Sequence, residues 1–251
     1  TRRLNLSDAP AQTLAKKGLV VIDRVEVSSD PLASGRTDRG RPEKLTDEQS
    51  ECLAQIVPAV GAGEGKTFLL RGVTGSGKTE VYLRAIEAAV EVGRSAIVLV
   101  PEIALTPQTV GWFRSRFGEV AVLHSRMTDA QRLDAWLSVA SGEVKVVVGA
   151  RSALFAPVVD LGVIVLDEEH EPSFKQGSVP RYHARDVAVE RARLEGAVCI
   201  LGSATPSLES RARAAAGEFE RLDLPVRVGN IPMPVVEVVD IQFLDLMAFE
   251  P

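Results

Sequence analysis

The segment Gly72-Val-Thr-Gly-Ser-Gly-Lys78-Thr79 decides the fold. It has the form G-x-x-x-x-G-K-T, follows the apolar run 67–70 and precedes the amphipathic stretch 78–92, which predicts a strand, a loop and a helix in that order. Glycines let such a loop turn its N–H groups onto phosphate oxygens, and the helix N-terminus adds partial positive charge. We expect Lys78 to reach the β- and γ-phosphates of ATP and the Thr79 hydroxyl to ligate Mg²⁺. The predicted phosphate loop consists of Gly72, Val73, Thr74, Gly75, Ser76, Gly77, Lys78 and Thr79.

Apolar runs and amphipathic stretches alternate after this loop. The pattern predicts strands at 96–100, 120–123, 144–148, 163–166 and 198–201, and helices at 107–117, 128–140, 183–195 and 207–216. The strands are continuously apolar, which indicates that both faces of the sheet are covered. The sequence therefore predicts an α/β fold with a mostly parallel sheet and helices on both faces.

Two further segments place polar side chains at the ends of buried strands. The first is Val163-Ile-Val-Leu-Asp167-Glu168-Glu169-His170, in which Asp167 is expected to hold Mg²⁺ and Glu168 to polarise an attacking water. The second is Gly202-Ser203-Ala204-Thr205-Pro206, whose hydroxyl groups can join the carboxylates by hydrogen bonds. Together these segments predict a nucleotide-hydrolysing site at the carboxyl edge of the sheet.

The composition excludes several other classes of protein. The 251 residues are 45% hydrophobic and carry a net charge of −5, so a broad basic surface for DNA is not expected. Apolar runs fall far short of the roughly 20 residues that span a bilayer, and no signal segment opens the chain. The two cysteines, Cys52 and Cys199, exclude a disulfide scaffold and a cysteine-rich zinc site within these residues. We expect a cytoplasmic protein without membrane contacts.

One loop interleaves aromatic and cationic side chains, a pattern typical of base stacking and phosphate contact. The alternative is an ordinary surface loop in which Tyr182 packs into the core. The residues concerned are Phe174, Lys175, Arg181, Tyr182, His183 and Arg185.

The phosphate loop, the D-E-E-H box and the S-A-T segment together resemble superfamily 2 helicases. Further strings resemble one family within it, the PriA family of primosomal replication-restart helicases, in that family's order over residues 45–215. These strings are Val100-Pro-Glu-Ile-Ala-Leu-Thr-Pro-Gln108, Val148-Gly-Ala-Arg-Ser-Ala-Leu-Phe155, Ser173-Phe-Lys-Gln176 and Arg181-Tyr-His-Ala-Arg-Asp186.

The resemblance implies a role for each segment. Residues 45–224 would be the first of two RecA-like motor lobes, and Gln49 would contact adenine. Residues 100–108 and 148–155, including Arg151 and Ser152, would contact DNA or brace such contacts. The loop from residue 171 to residue 183 would couple DNA binding to hydrolysis, with Ser203 and Thr205 taking part in that coupling.

The resemblance also implies a domain order and a set of partners. Residues 1–27 would be the remnant of a winged-helix domain, 28–44 a linker, and 225–251 the start of a connection to a zinc-binding region and a second lobe with an arginine finger, both absent from this chain. The partners would be forked and single-stranded DNA, single-strand-binding protein and primosome proteins, and unwinding would run 3′→5′. Two alternatives stay open: a non-motor fork-binding scaffold, and another superfamily 2 translocase on branched DNA.

Overall fold

The computed structural model describes residues 9–19, 42 and 44–230. The chain divides into two compact units, Thr1–Ser34 and Gly35–Pro251. The first contains helix α1 (Ala9–Lys16). Their boundary falls inside the predicted linker 28–44. The sequence also predicts a strand at 19–27 and another at 235–241, and of these positions only residue 19 lies among the described residues.

A parallel sheet of seven strands forms the second unit. The strands are β1 (Thr67–Gly72), β2 (Ser95–Leu99), β3 (Ala121–Leu123), β4 (Val146–Gly149), β5 (Leu161–Asp167), β6 (Val198–Ser203) and β7 (Glu220–Leu224). Their order in the sheet is β3-β4-β2-β5-β6-β1-β7, and every neighbouring pair is parallel. The carboxyl ends of β1, β5 and β6 therefore lie side by side, which brings the phosphate loop, the acidic box and the S-A-T segment together.

Helices connect the strands, and their ends follow local sequence signals. They are α2 (Asp47–Ala62), α3 (Lys78–Glu91), α4 (Pro107–Phe117), α5 (Asp129–Ala140), α6 (Ala184–Glu195) and α7 (Leu208–Ala215). Thr46 and Thr128 each form a capping box with the glutamine three residues later. Gly196 ends α6 in the left-handed conformation, as a C-terminal glycine commonly does.

Helices cover both faces of the sheet. Successive strand residues point to opposite faces. On one face Leu69 and Ile164 belong to a core that includes Val139 of α5 and Ala188 of α6. On the other, α3 contacts β2 and β5, and α2 contacts β7. This arrangement confirms the predicted parallel α/β architecture. In the described part of the chain, no helix combines the length and the apolarity needed to cross a bilayer.

Candidate nucleotide-binding site

The phosphate loop joins the end of β1 to the start of α3. Gly75 and Gly77 have φ values of +82° and +85°, a backbone region that glycine adopts without strain. A Cβ at Gly77 would clash with Nε2 of Gln49, so a larger residue would displace that side chain. The glycines at these two positions therefore permit both the turn and the close approach of a neighbour.

Lys78 lies between the loop and the acidic box. It is buried, and its Nζ donates a hydrogen bond of 2.9 Å to the carbonyl oxygen of Gly72. The same Nζ lies 3.8 Å from Oε1 of Glu168. The cation thus occupies the position from which an anion in the loop would be contacted, with one carboxylate as its present counter-charge.

Gln49 braces the phosphate loop from α2. Its Oε1 accepts a hydrogen bond from the backbone N–H of Thr46 at 3.0 Å, and its Nε2 donates one of 3.1 Å to the carbonyl oxygen of Ser76. Both ends of the amide are engaged within the chain, a contact that sequence reasoning did not anticipate. The adenine contact expected for Gln49 stays a prediction.

A cavity of about 390 Å³ opens above the loop. Besides residues 73–79 it is lined by side chains from four other parts of the chain, including Gln49, Trp112, Asp167, Glu168 and Val228. Trp112 and Val228 belong to no recognisable sequence motif, so their place in the cavity lining was not predicted. Only the tertiary fold brings α4 and the segment after β7 to the phosphate loop.

The cavity fits a phosphate chain with a magnesium ion. Ser76 Oγ is buried and has no hydrogen-bond partner within the described residues, although buried polar atoms normally have one. The first N–H groups of α3 lack intrahelical acceptors by the geometry of a helix end, so they are available to anionic oxygens. Thr79 and Asp167 offer a hydroxyl and a carboxylate, which are oxygen ligands of the kind that Mg²⁺ prefers.

The carboxylate of Asp167 is surrounded by the polar groups of Tyr82, Glu168 and Lys78. The Tyr82 hydroxyl donates a hydrogen bond of 3.0 Å to its Oδ1. Burial, and secondarily the charge of Glu168, raise the pKa of Asp167 above its ordinary value, while the Tyr82 hydrogen bond and Lys78 act in the opposite direction. A divalent cation would favour the ionised form, so these surroundings suit a carboxylate that takes part in metal binding.

His170 connects the acidic box to the S-A-T segment. Its Nδ1 lies 2.8 Å from Oγ of Ser203 and 3.6 Å from Oε2 of Glu168. Its Nε2 lies 3.5 Å from Oγ1 of Thr205. The hydroxyl groups of Ser203 and Thr205 therefore reach the carboxylate cluster through one imidazole.

Glu169 holds the acidic box to the helices behind it and was not singled out from the sequence. It is fully buried, and it accepts hydrogen bonds from the Ser207 backbone N–H at 2.6 Å and from the hydroxyls of Ser207 and Ser210 at 3.0 and 2.8 Å. Arg185, which is also buried, has its Nη1 3.6 Å away. The sequence signal for this contact was the predicted start of a helix at Ser207, because serine is a residue type that caps helix N-termini.

The structure corrects the role expected for Phe174. Its side chain is 1% exposed and belongs to the core that α6 covers, so it offers no face on which a base could stack. The prediction that it stacks on DNA is wrong, because the 3-10 turn Pro172–Phe174 directs this apolar ring inward. Burial is the lower-energy place for such a side chain.

The other residues of the loop stay near the surface. Tyr182 is half-buried, with its ring 5.3 Å from that of Phe155 and the Arg151 guanidinium 5.9 Å from its centre. Arg151 also donates hydrogen bonds to the carbonyl oxygens of Ser173 and Lys175 at 2.8 and 2.6 Å. The segment 148–155 and the loop are therefore in direct contact, as a shared DNA-contacting surface would require.

His183 caps α6, whereas three other predicted DNA-contacting residues are exposed. Its Nδ1 accepts the backbone N–H of Arg185 at 3.3 Å. Burial, and then the charge of Arg185, lower the pKa of His183, so the neutral form suits its capping role. Ser152, Lys175 and Arg181 are exposed and available to a ligand.

Comparison with known proteins finds close relatives in sequence. Replication restart protein PriA of Bacillus subtilis (strain 168) is 48% identical over 242 residues, which are 96% of this chain and 30% of that protein. Replication restart protein PriA of Chlamydia pneumoniae is 44% identical over 219 residues, or 85% of this chain and 29% of that protein. The chain thus spans about 30% of the length of these curated relatives.

A solved structure shares the fold. The structure of RecG bound to a three-way DNA junction aligns with a TM-score of 0.53 and 24% identity over 73% of this chain and 24% of that one. This likeness confirms the RecA-like fold expected for the lobe. Residues 46–214, well over half of the sequence, match the DEAD/DEAH box helicase family, and the chain therefore belongs to that family.

Proposed function

We propose that this chain is the ATP-binding motor lobe of a DNA helicase that acts in replication restart. The observation that carries the proposal is that four side chains line one cavity, namely Lys78, Thr79, Asp167 and Glu168. Within it, Lys78 Nζ lies 2.9 Å from the carbonyl oxygen of Gly72 and 3.8 Å from Oε1 of Glu168. The similarity to proteins called Replication restart protein PriA supports the choice of process.

The residues divide the work of phosphoryl transfer among them. Lys78 and the N-terminus of α3 stabilise negative charge on the phosphate oxygens. Thr79 and Asp167 would hold Mg²⁺, whose chemistry is to neutralise charge that develops on those oxygens. Glu168 accepts a hydrogen bond from the attacking water and orients it. His170 ties Glu168 to Ser203, so the position of Glu168 depends on the S-A-T segment.

The DNA-facing part of the proposal rests on exposed polar groups beside this site. Lys175 and Arg181 supply cations, Tyr182 supplies a half-buried ring, and Ser152 supplies a hydroxyl.

The longer protein would recognise forked and single-stranded DNA, unwind it 3′→5′ and start primosome assembly. Its partners would be single-strand-binding protein and primosome proteins, and its zinc would lie in a region outside this chain. We place it in the cytoplasm.

The intact site favours a motor over a non-motor scaffold. A scaffold has no need for a buried lysine opposed to Glu168 or for a carboxylate whose pKa is raised by burial, as in Asp167. Such perturbed groups cluster where chemistry is done.

The test is ATP hydrolysis by the longer protein that this proposal implies, measured as phosphate release with and without forked DNA. Lys78→Ala should abolish hydrolysis and leave fork binding largely intact. Lys66→Ala, which removes an exposed lysine paired with Glu64, is the charge-matched control and should behave as wild type. Hydrolysis by Lys78→Ala at the wild-type rate would show that the assigned loop is not the catalytic one.

A further inference from the structure

The segment that follows β7 wraps the phosphate loop. The carbonyl oxygen of Leu224 accepts the N–H of Val73 at 3.3 Å, and the N–H of Val228 donates to the carbonyl oxygen of Gly75 at 3.0 Å. Val228 also lines the nucleotide cavity. The lobe therefore continues beyond residue 224, and its last described segment is anchored to the loop at two points.

Arg227 lies across this loop. Its Cγ, Cδ and Nε are 3.8 to 3.9 Å from the position that a Cβ on Gly75 would take. These three atoms are the nearest to that position. The absence of a side chain at Gly75 leaves room for the arginine stem against the backbone of the loop.

The guanidinium of Arg227 has no counter-charge among the residues that the structure describes. Its Nε is buried and has no hydrogen-bond partner, and no carboxylate in residues 9–19, 42 and 44–230 forms an ion pair with it. The two arginines on neighbouring strands differ, since Arg221 and Arg71 both lie within 4 Å of Asp223. A buried donor without an acceptor is rare and unfavourable in a folded protein, so it points to an acceptor that binds from outside.

We infer that Arg227 is a nucleotide-binding residue whose guanidinium contacts a phosphate group of the bound nucleotide. The inference rests on the proposed function for the identity of the ligand. A planar guanidinium matches phosphate oxygens better than any other side chain, and it stays charged at all relevant pH values. Arg227 would then be a second cation, besides Lys78, that this lobe supplies to the phosphate groups.

The experiment measures equilibrium binding to this chain by calorimetry, with MgATP, tripolyphosphate and adenosine as three separate ligands. Arg227→Gln should weaken MgATP and tripolyphosphate by about tenfold, as expected for one charge-assisted hydrogen bond to phosphate, and leave adenosine unchanged. Arg227→Lys should recover part of the loss because it restores the charge without the fork. Arg221→Gln, on β7, is the matched control and should bind all three ligands as wild type.

The outcomes separate this inference from the function it rests on. If wild type and Arg221→Gln bind MgATP and Arg227→Gln binds it equally well, the inference is wrong while the nucleotide site stands. If Arg227→Gln loses MgATP and adenosine together but keeps tripolyphosphate, the arginine contacts the base and the phosphate assignment is overturned. If wild type binds neither MgATP nor tripolyphosphate, the proposed function itself fails.

Discussion

Replacement of Glu169 by alanine should destabilise the lobe strongly, although the residue does not line the nucleotide cavity. The carboxylate is fully buried and accepts three hydrogen bonds, from the N–H and hydroxyl of Ser207 and from the hydroxyl of Ser210. It also lies 3.6 Å from the buried guanidinium of Arg185. The substitution leaves the Ser207 N–H and the Ser210 hydroxyl without this acceptor and removes the buried carboxylate beside Arg185, which keeps its contacts with Ser207 and the exposed Asp186. Removal of one partner of a buried ion pair costs about 3–5 kcal/mol.

The assay is urea and thermal unfolding of this chain, followed by circular dichroism. For a domain of this size about 3–5 kcal/mol corresponds to a fall in Tm on the order of 10 °C. Glu64→Ala is the matched control: its side chain is 51% exposed and pairs with the exposed Lys66, so its loss should change the free energy of unfolding by no more than about 0.5 kcal/mol. Equal stabilities of the Glu169 and Glu64 variants would refute the reasoning, since they would show that burial of the Glu169 charge contributes nothing to the stability of the lobe.

Three further predictions follow from particular contacts. Arg94→Lys should destabilise the lobe by about 1–3 kcal/mol in urea, because its guanidinium donates to the carbonyl oxygens of Val60, Leu161 and Gly196 and a lysine cannot reach all three; an unchanged unfolding midpoint would contradict this. The raised pKa of Asp167 means that its favourable contribution is present at low pH and is lost as the pH rises through that pKa, so Asp167→Asn should gain stability relative to wild type as the pH rises above about 4; parallel pH profiles would rule this out. Phe174→Ala should cost about 3–5 kcal/mol in unfolding free energy, as a core cavity does, and a fully stable variant would return Phe174 to the surface.

The architecture was predictable because the buried strands and the loops after them carry strong local signals. The continuous apolar run that ends in Asp167 and the glycine-rich segment before Lys78 each specify their own conformation, and a parallel sheet then brings them to one edge. Two elements escaped prediction. Helix α2 contains Pro58 and an irregular pattern, and β7 alternates exposed and buried residues in a short polar stretch.

The contacts of buried side chains could not be predicted from the sequence. Glu169 and Glu168 are identical in type and adjacent, yet one is fully buried and the other partly exposed. The start of a helix at Ser207 was predictable, but the packing of that helix start against Glu169 is a tertiary contact that no local pattern specifies. Phe174 fits an aromatic–cationic pattern equally well whether it faces solvent or core. Tertiary packing decided between these readings.

The most direct test of the account is the affinity of this chain for MgADP, measured by titration calorimetry in wild type, Lys78→Ala and Lys66→Ala. Saturable binding that requires Mg²⁺ is expected for wild type and for Lys66→Ala. Binding to Lys78→Ala should be weaker by about tenfold or more, because the cation between Gly72 and Glu168 is lost while the fold is retained. Equal affinity of all three proteins for MgADP, with unchanged unfolding curves, would contradict the assignment of the nucleotide site.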